Sequence, residues 1–117
     1  MYCQICGKGN AEKHHIIFKS QGGKNFLLNY KYLCPDHHRG NISPHKNKQI
    51  DIEYKEELQK ELEELLTKDH YRLEELINLL GMQKVEAKKT FKHLKQYTEG
   101  YNNREIVFRL LGDKFYA

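Results

Sequence analysis

Cys34-Pro35-Asp36-His37-His38 is the stretch on which the reading of this chain turns, because two kinds of metal ligand meet in it. Cys34 and His37 stand at the spacing with which one turn of chain supplies two ligands to a tetrahedral zinc. His38 follows at once and is left over for another use. Pro35 suits the first turn of a helix, where a missing N–H is harmless, so the stretch opens a short helix carrying both histidines.

Working outward, Cys3-Gln4-Ile5-Cys6-Gly7 repeats the ligand spacing near the start of the chain, in the shape of a zinc knuckle. The 27 residues between Cys6 and Cys34 leave room for a strand, a loop and a strand. Cys3, Cys6, Cys34 and His37 therefore form the expected structural zinc site. Three cysteines are an odd count, which argues against a disulfide framework and for metal ligation in a reducing compartment. A hairpin this small buries too little surface to hold itself together. Structural zinc contributes about 10–16 kcal/mol in comparable modules, so zinc is expected to decide whether this part folds.

His14-His15-Ile16-Ile17-Phe18 is rich in β-branched and aromatic residues and reads as a strand. Lys19 to Asn25, with Gly22-Gly23, reads as a loop, and Tyr30-Lys31-Tyr32-Leu33 as a second strand. Once zinc is satisfied, His14, His15, Asn29, His38 and His45 remain as polar residues without a structural duty. Neighbours on a strand point to opposite faces, so His14 and His15 diverge unless the strand ends or bulges there. One of them can then bind a metal ion while the other stays free as a base.

The order Cys-x-x-Cys, His14-His15-Ile16, Asn29 five residues before Cys34, then Leu-Cys-x-x-His-His resembles the HNH endonuclease family in its zinc-containing, phage-associated branch. Two positions depart from the usual pattern. His37 stands where a final cysteine is common, and His14 where aspartate is common. Both keep a metal-ligating side chain. The resemblance covers about residues 1–50 and implies a ββα-metal fold that cleaves DNA phosphodiester bonds, in a bacterial or phage-infected cell. Carried over by position, it implies that His14 and His38 bind a divalent ion such as Mg²⁺ or Mn²⁺, that His15 is the general base, and that Asn29 orients the hairpin and the base.

The chemistry fits those residue types. Hydrolysis of a phosphodiester requires a deprotonated water in line with the leaving oxygen and positive charge against the phosphate. A neutral histidine accepts a proton near pH 7. The products are then a 5′-phosphate and a 3′-hydroxyl. His45, in Ser43-Pro44-His45-Lys46-Asn47, is a candidate contact to phosphate or metal, although a loop histidine is commonly just solvated.

Charge divides the chain. Residues 1–50 carry eight basic and two acidic side chains, a balance of +6, whereas residues 51–117 carry twelve basic and fourteen acidic ones, a balance of −2. The metal-ligating part is thus the part suited to a polyanion. Hydrophobic residues make up 38% and charged residues 31%, an ordinary globular composition. No apolar run approaches the roughly 20 residues of a membrane span, and the N-terminus lacks a leader pattern, so no membrane partner is expected and a cytoplasmic location is.

Downstream, Ile50, Tyr54, Leu58, Leu62, Leu65 and Leu66 follow the helical period and predict an amphipathic helix from Gln49 to Thr67 with an acidic outer face. Asp69 is the expected cap of a helix ended by Gly81. Another carries Ala87, Phe91 and Leu94, and Asn102 with Glu105 marks the start of a last helix closed by Gly112. Leu76 to Phe91 loosely fits a helix-turn-helix, with Lys84, Lys88, Lys89, Lys92 and Lys95 on its second helix; a plain helical hairpin with a solvated lysine face fits as well.

The expected fold class is small α+β: a zinc-stapled ββα-metal module over residues 1–50, then an all-helical region over 51–117. A metal-dependent endonuclease is the leading function. A non-catalytic zinc-dependent DNA-binding protein is its rival, and a protein-interaction module built on the acidic helix is a third reading.

Overall fold

The computed structural model describes residues 1–117. Strand β1 (Glu12–His15) pairs antiparallel with β2 (Tyr30–Leu33), in a register running from Glu12 opposite Leu33 to His15 opposite Tyr30. Helix α1 (Pro35–Arg39) follows directly, with Pro35 in its first turn. This is the expected small α+β plan of two strands and a helix.

The first strand stops earlier than its composition predicts. Asn29 accounts for this: its Oδ1 accepts from the Ile17 amide at 2.8 Å and its Nδ2 donates to the Ile17 carbonyl at 3.3 Å. A side chain thus takes the bonds a ladder would have used, and Ile17 turns inward. A loop with a 3-10 turn at Leu27–Asn29 returns the chain to β2.

Helix α2 (Lys48–Leu65) begins at Asn47, whose side chain accepts from the Ile50 amide at 3.2 Å. Leu58, Leu62 and Leu66 are buried, so its apolar stripe is covered by its own chain. Two polar residues share that buried face. Lys55 pairs with Asp51 at 2.6 Å and lies 4.3 Å from the Phe18 ring centre, while Gln59 Oε1 accepts from the amides of Tyr116 and Ala117, pinning the C-terminus.

The region beyond α2 is not all helical. Strand β3 (His70–Tyr71) precedes α3 (Leu73–Leu80) and α4 (Lys84–Phe91), then β4 (Gln96–Tyr97), β5 (Gly100–Asn102) and α5 (Asn103–Leu110). The strands form an antiparallel sheet in the order β3-β5-β4. Two or three residues are too few for an alternating pattern to register, and the strands exist through pairing between distant segments.

Asp69 is not a helix cap. Its carbonyl accepts from the Asn103 amide at 2.8 Å, and α3 starts only after β3, at Arg72, whose amide donates to Glu75 Oε1 at 3.0 Å. Leu94 likewise lies beyond α4, in a turn closed by its amide on the Phe91 carbonyl. The caps at Gly81 (φ 64°) and at Asn102, which accepts from the Glu105 amide at 3.3 Å, are as the residues predict.

The main core comprises sixteen buried residues drawn from both ends of the chain. Ile16, Ile17 and Phe26 from the hairpin loop join Leu58, Leu62, Leu76, Leu80, Phe91, Ile106 and Leu110. Packing therefore runs straight across the expected division at residues 50 and 51. No helix is long and apolar enough to cross a membrane.

Candidate metal centres and active site

Two clusters of metal-ligating side chains flank α1. In the first, the ligand atoms of Cys3, Cys6, Cys34 and His37 all lie within 4.8 Å of one another. Cys6 Sγ is 3.7 Å from Cys34 Sγ, and His37 Nδ1 is 3.7 Å from Cys3 Sγ and 3.2 Å from Cys34 Sγ. Zinc–sulfur bonds of about 2.3 Å and zinc–nitrogen bonds of about 2.0 Å make tetrahedral edges of about 3.5–3.8 Å. The four residues fit a zinc ion, whereas a disulfide needs sulfurs about 2.0 Å apart.

The electrostatics of these thiols also suit a cation. Burial raises the Cys3 thiol, yet hydrogen bonds from the backbone about Cys34, Cys6 and Ile5 outweigh it and bring it down to about 6. For Cys6 the Lys8 amide acts downward, but burial and the neighbouring Cys34 and Cys3 sulfurs carry the net shift upward. Crowded sulfurs that resist joint ionisation are the condition a bound zinc relieves.

The second cluster is His14, His38 and His45, whose ligand nitrogens also lie within 4.8 Å of one another. Their rings stand 5.0–5.2 Å apart, centre to centre, and His38 Nε2 is 3.2 Å from His45 Nε2. His14 is 2% exposed, and its Nε2 is buried without a hydrogen-bond partner. A buried polar atom normally has one. Burial, reinforced by the nearby His45 and His38, lowers the His14 pKa to about 3, so its ring is neutral with a free lone pair. Burial and His38 lower His45 in the same direction. These three residues fit a divalent ion held by imidazole.

Glu12, to which sequence reasoning gave no role, completes the cluster. His38 Nδ1 donates to Glu12 Oε1 at 2.8 Å, and Arg39 donates to Glu12 Oε2 at 2.9 Å. The bond from His38 holds the Glu12 carboxyl below its ordinary range, with Arg39 adding to it. A carboxylate on one ring nitrogen fixes the tautomer and turns the other nitrogen toward a metal. The signal was present in the strand period: Glu12 and His14 are two apart and share a face.

His15 does not join the three histidines. Its ring lies against Tyr30, 5.2 Å between centres, and its Nε2 sits 3.0 Å from Asn25 Oδ1. An amide oxygen only accepts, so Nε2 carries the proton and Nδ1 keeps the lone pair. The side chain nevertheless borders a shallow depression shared with His14, His38, His45, Lys13 and Lys19. Asn25 ends a loop in the sequence, and nothing in its spacing singles it out.

Asn29 is fully buried. Besides its two bonds to Ile17, its Nδ2 donates to the Lys24 carbonyl at 2.9 Å, and its own carbonyl accepts from the Ile16 amide at 2.8 Å. It clamps both ends of the loop that follows His15. His45 is carried into the second cluster by the Gly40–Asn47 loop, whose turns close on Ser43: Ser43 donates to the Gly40 carbonyl, and Asn47 donates to the Ser43 carbonyl.

Residues 3–41 match the family model described as HNH endonuclease. No curated protein and no solved structure matches the chain.

Proposed function

We propose, on the match of residues 3–41 to the HNH endonuclease family model, that the protein hydrolyses DNA phosphodiester bonds beside the three-histidine cluster, leaving 5′-phosphate and 3′-hydroxyl ends. The observation that carries this reading is the buried, unpartnered Nε2 of His14, converging with His38 and His45. In this reading those three residues would hold a divalent ion, which would supply positive charge as the phosphate becomes more negative.

The protein's own residues do the rest. His15 Nδ1 takes a proton from the attacking water; the water oxygen bonds to phosphorus, the bond to the 3′ oxygen breaks, and that oxygen takes up a proton from solvent. Lys13 and Lys19, on the rim of the same depression, meet the phosphate charge. Asn29 keeps the segment after His15 in place through its clamp on Ile17 and Lys24. Glu12, itself held by Arg39, keeps His38 in one tautomer.

The ligand set also bears on the ion. Mg²⁺ prefers oxygen donors and keeps several waters, whereas imidazole suits later transition ions. Of Mg²⁺ and Mn²⁺, Mn²⁺ is the better match to three imidazoles. Incubation of supercoiled plasmid with the zinc-loaded protein tests this: nicking is expected with added Mn²⁺ and little with Mg²⁺ alone. No cleavage with any divalent ion would overturn the enzyme reading and favour the rival, a zinc-dependent DNA-binding protein, for which the +6 balance of residues 1–50 also speaks.

A further inference from the structure

The helices and strands after residue 47 occur in a telling order. Helix α2 leads to β3, then to α3, a three-residue turn, α4, and the β4–β5 hairpin, with the strands arranged β3-β5-β4. That connectivity is the one in which a helix-turn-helix is backed by a small antiparallel sheet whose hairpin projects beside the second helix. The turn begins at Gly81 in the left-handed conformation, φ 64°. Around it Leu76, Leu80, Met82, Ala87, Thr90 and Phe91 are buried, so α3 and α4 lock through one continuous set of side chains.

What this packing leaves outside is a basic face. Lys84, Lys88, Lys89 and Lys92 are exposed along α4, and Lys95 stands at the start of the hairpin. None of them is in an ion pair, although Lys8, Lys31, Lys55 and Lys68 all are. The one acid on α4, Glu86, accepts from the Asn25 amide at 3.2 Å. Residues 51–117 are net acidic overall, so this patch reflects segregation of charge rather than a basic composition. A merely solvated face more commonly intersperses both signs.

We propose that residues 48–102 form a winged helix-turn-helix that binds duplex DNA, with α4 in the major groove and the β4–β5 hairpin against the adjoining backbone. Residues at the start of a recognition helix reach base edges. Here these are Gln83, whose amide suits adenine, and Val85, 65% exposed among lysines and suited to a thymine methyl. The lysines farther along α4 meet phosphates and set register. The hairpin is braced from behind, since Arg72 donates to the Thr98 carbonyl at 3.3 Å.

The surface is continuous with the candidate active site. A groove of about 560 Å³ is lined by Lys13, His15 and Lys19 together with Gly81, Gln83, Val85 and Glu86. A duplex seated on α4 therefore passes His15, and cutting is expected close beside the sequence that α4 reads; this last clause rests on the nuclease reading, whereas the binding surface does not.

The test uses the full zinc-loaded chain carrying His15→Ala, with no added divalent ion, so that binding is read without cleavage. Selection from a duplex pool randomised over about two helical turns should enrich one common motif. Lys88→Ala with Lys89→Ala, both exposed, should weaken binding about tenfold or more and lower the salt slope of log K by about 2. Gln83→Ala should alter the enriched motif. No enrichment, or an unchanged salt slope in a folded double variant, would overturn the proposal. The parent chain, given Mn²⁺ and duplex carrying the enriched motif, separates the two readings: selective binding without any cutting loses only the nuclease reading, and cutting without selection loses only this one.

Discussion

Single side chains decide what the hairpin presents. His14 and His15 are adjacent, yet one is buried in a histidine cluster while the other lies against Tyr30. The alternation of a strand foretells that divergence. It does not say which histidine faces inward, because that depends on α1 bringing His38 over and on the loop bringing His45. Asn29 was legible as a residue at a suggestive offset; its clamp was not, because its partners are backbone groups of Ile17 and Lys24 that carry no mark in the sequence. Asn29→Ala leaves those buried groups unpaired, and a loss of about 3 kcal/mol is expected in urea unfolding. Glu12→Gln keeps the shape but removes the charge that steadies His38. Weaker Mn²⁺ binding, by about tenfold or more, is expected in calorimetric titration, with zinc content unchanged.

At the scale of elements, some helix ends were readable, Asp69 was a false signal, and short strands were not readable. Gly81 and Asn102 announce themselves by local chemistry that needs no distant partner, whereas the Asn47 cap lies in a stretch that reads only as a polar loop. Strands β3 to β5 need each other, so no window of sequence contains the reason for them. Gly81 ends α3 in the left-handed region, and a Cβ built there would lie 2.5 Å from Leu27 Cδ1. Leu27 is exposed and its side chain can turn away, so Gly81→Ala should destabilise the protein chiefly through the backbone, by about 1–2 kcal/mol, read as a lowered midpoint in thermal unfolding. The start of α3 supplies a pH test. The Arg72 amide, with Lys68 adding to it, holds the Glu75 carboxyl below its ordinary 4.5. A depressed carboxyl contributes stability that is full above the unfolded value and fades as pH falls below it. The parent should thus lose stability more steeply than Glu75→Gln below about pH 4.5, and equal slopes would contradict the cap.

Across the whole molecule, the knuckle that fits zinc and the main core both bear on the hairpin. Cys3, Leu33 and Cys34 form a small buried cluster by the knuckle, while Ile16, Ile17 and Phe26 belong to the main core with α2 to α5. Residues 1–50 alone should bind zinc yet stay incompletely folded, because those three side chains would lie open to water; sharp dispersed amide signals from the zinc-loaded fragment would contradict this. In the full chain, stripping zinc should loosen the knuckle and α1 while the helices that follow keep their circular dichroism. The proposed chemistry depends on both, since α1 carries side by side His37, of the cluster that fits zinc, and His38, of the cluster that fits the second ion. Plasmid cleavage by His15→Ala beside the parent, with Mn²⁺ present and metal content measured on both, tests the assignment most directly. The variant should cut at least about 100-fold more slowly with both metal sites filled, and cutting at the parental rate would contradict it.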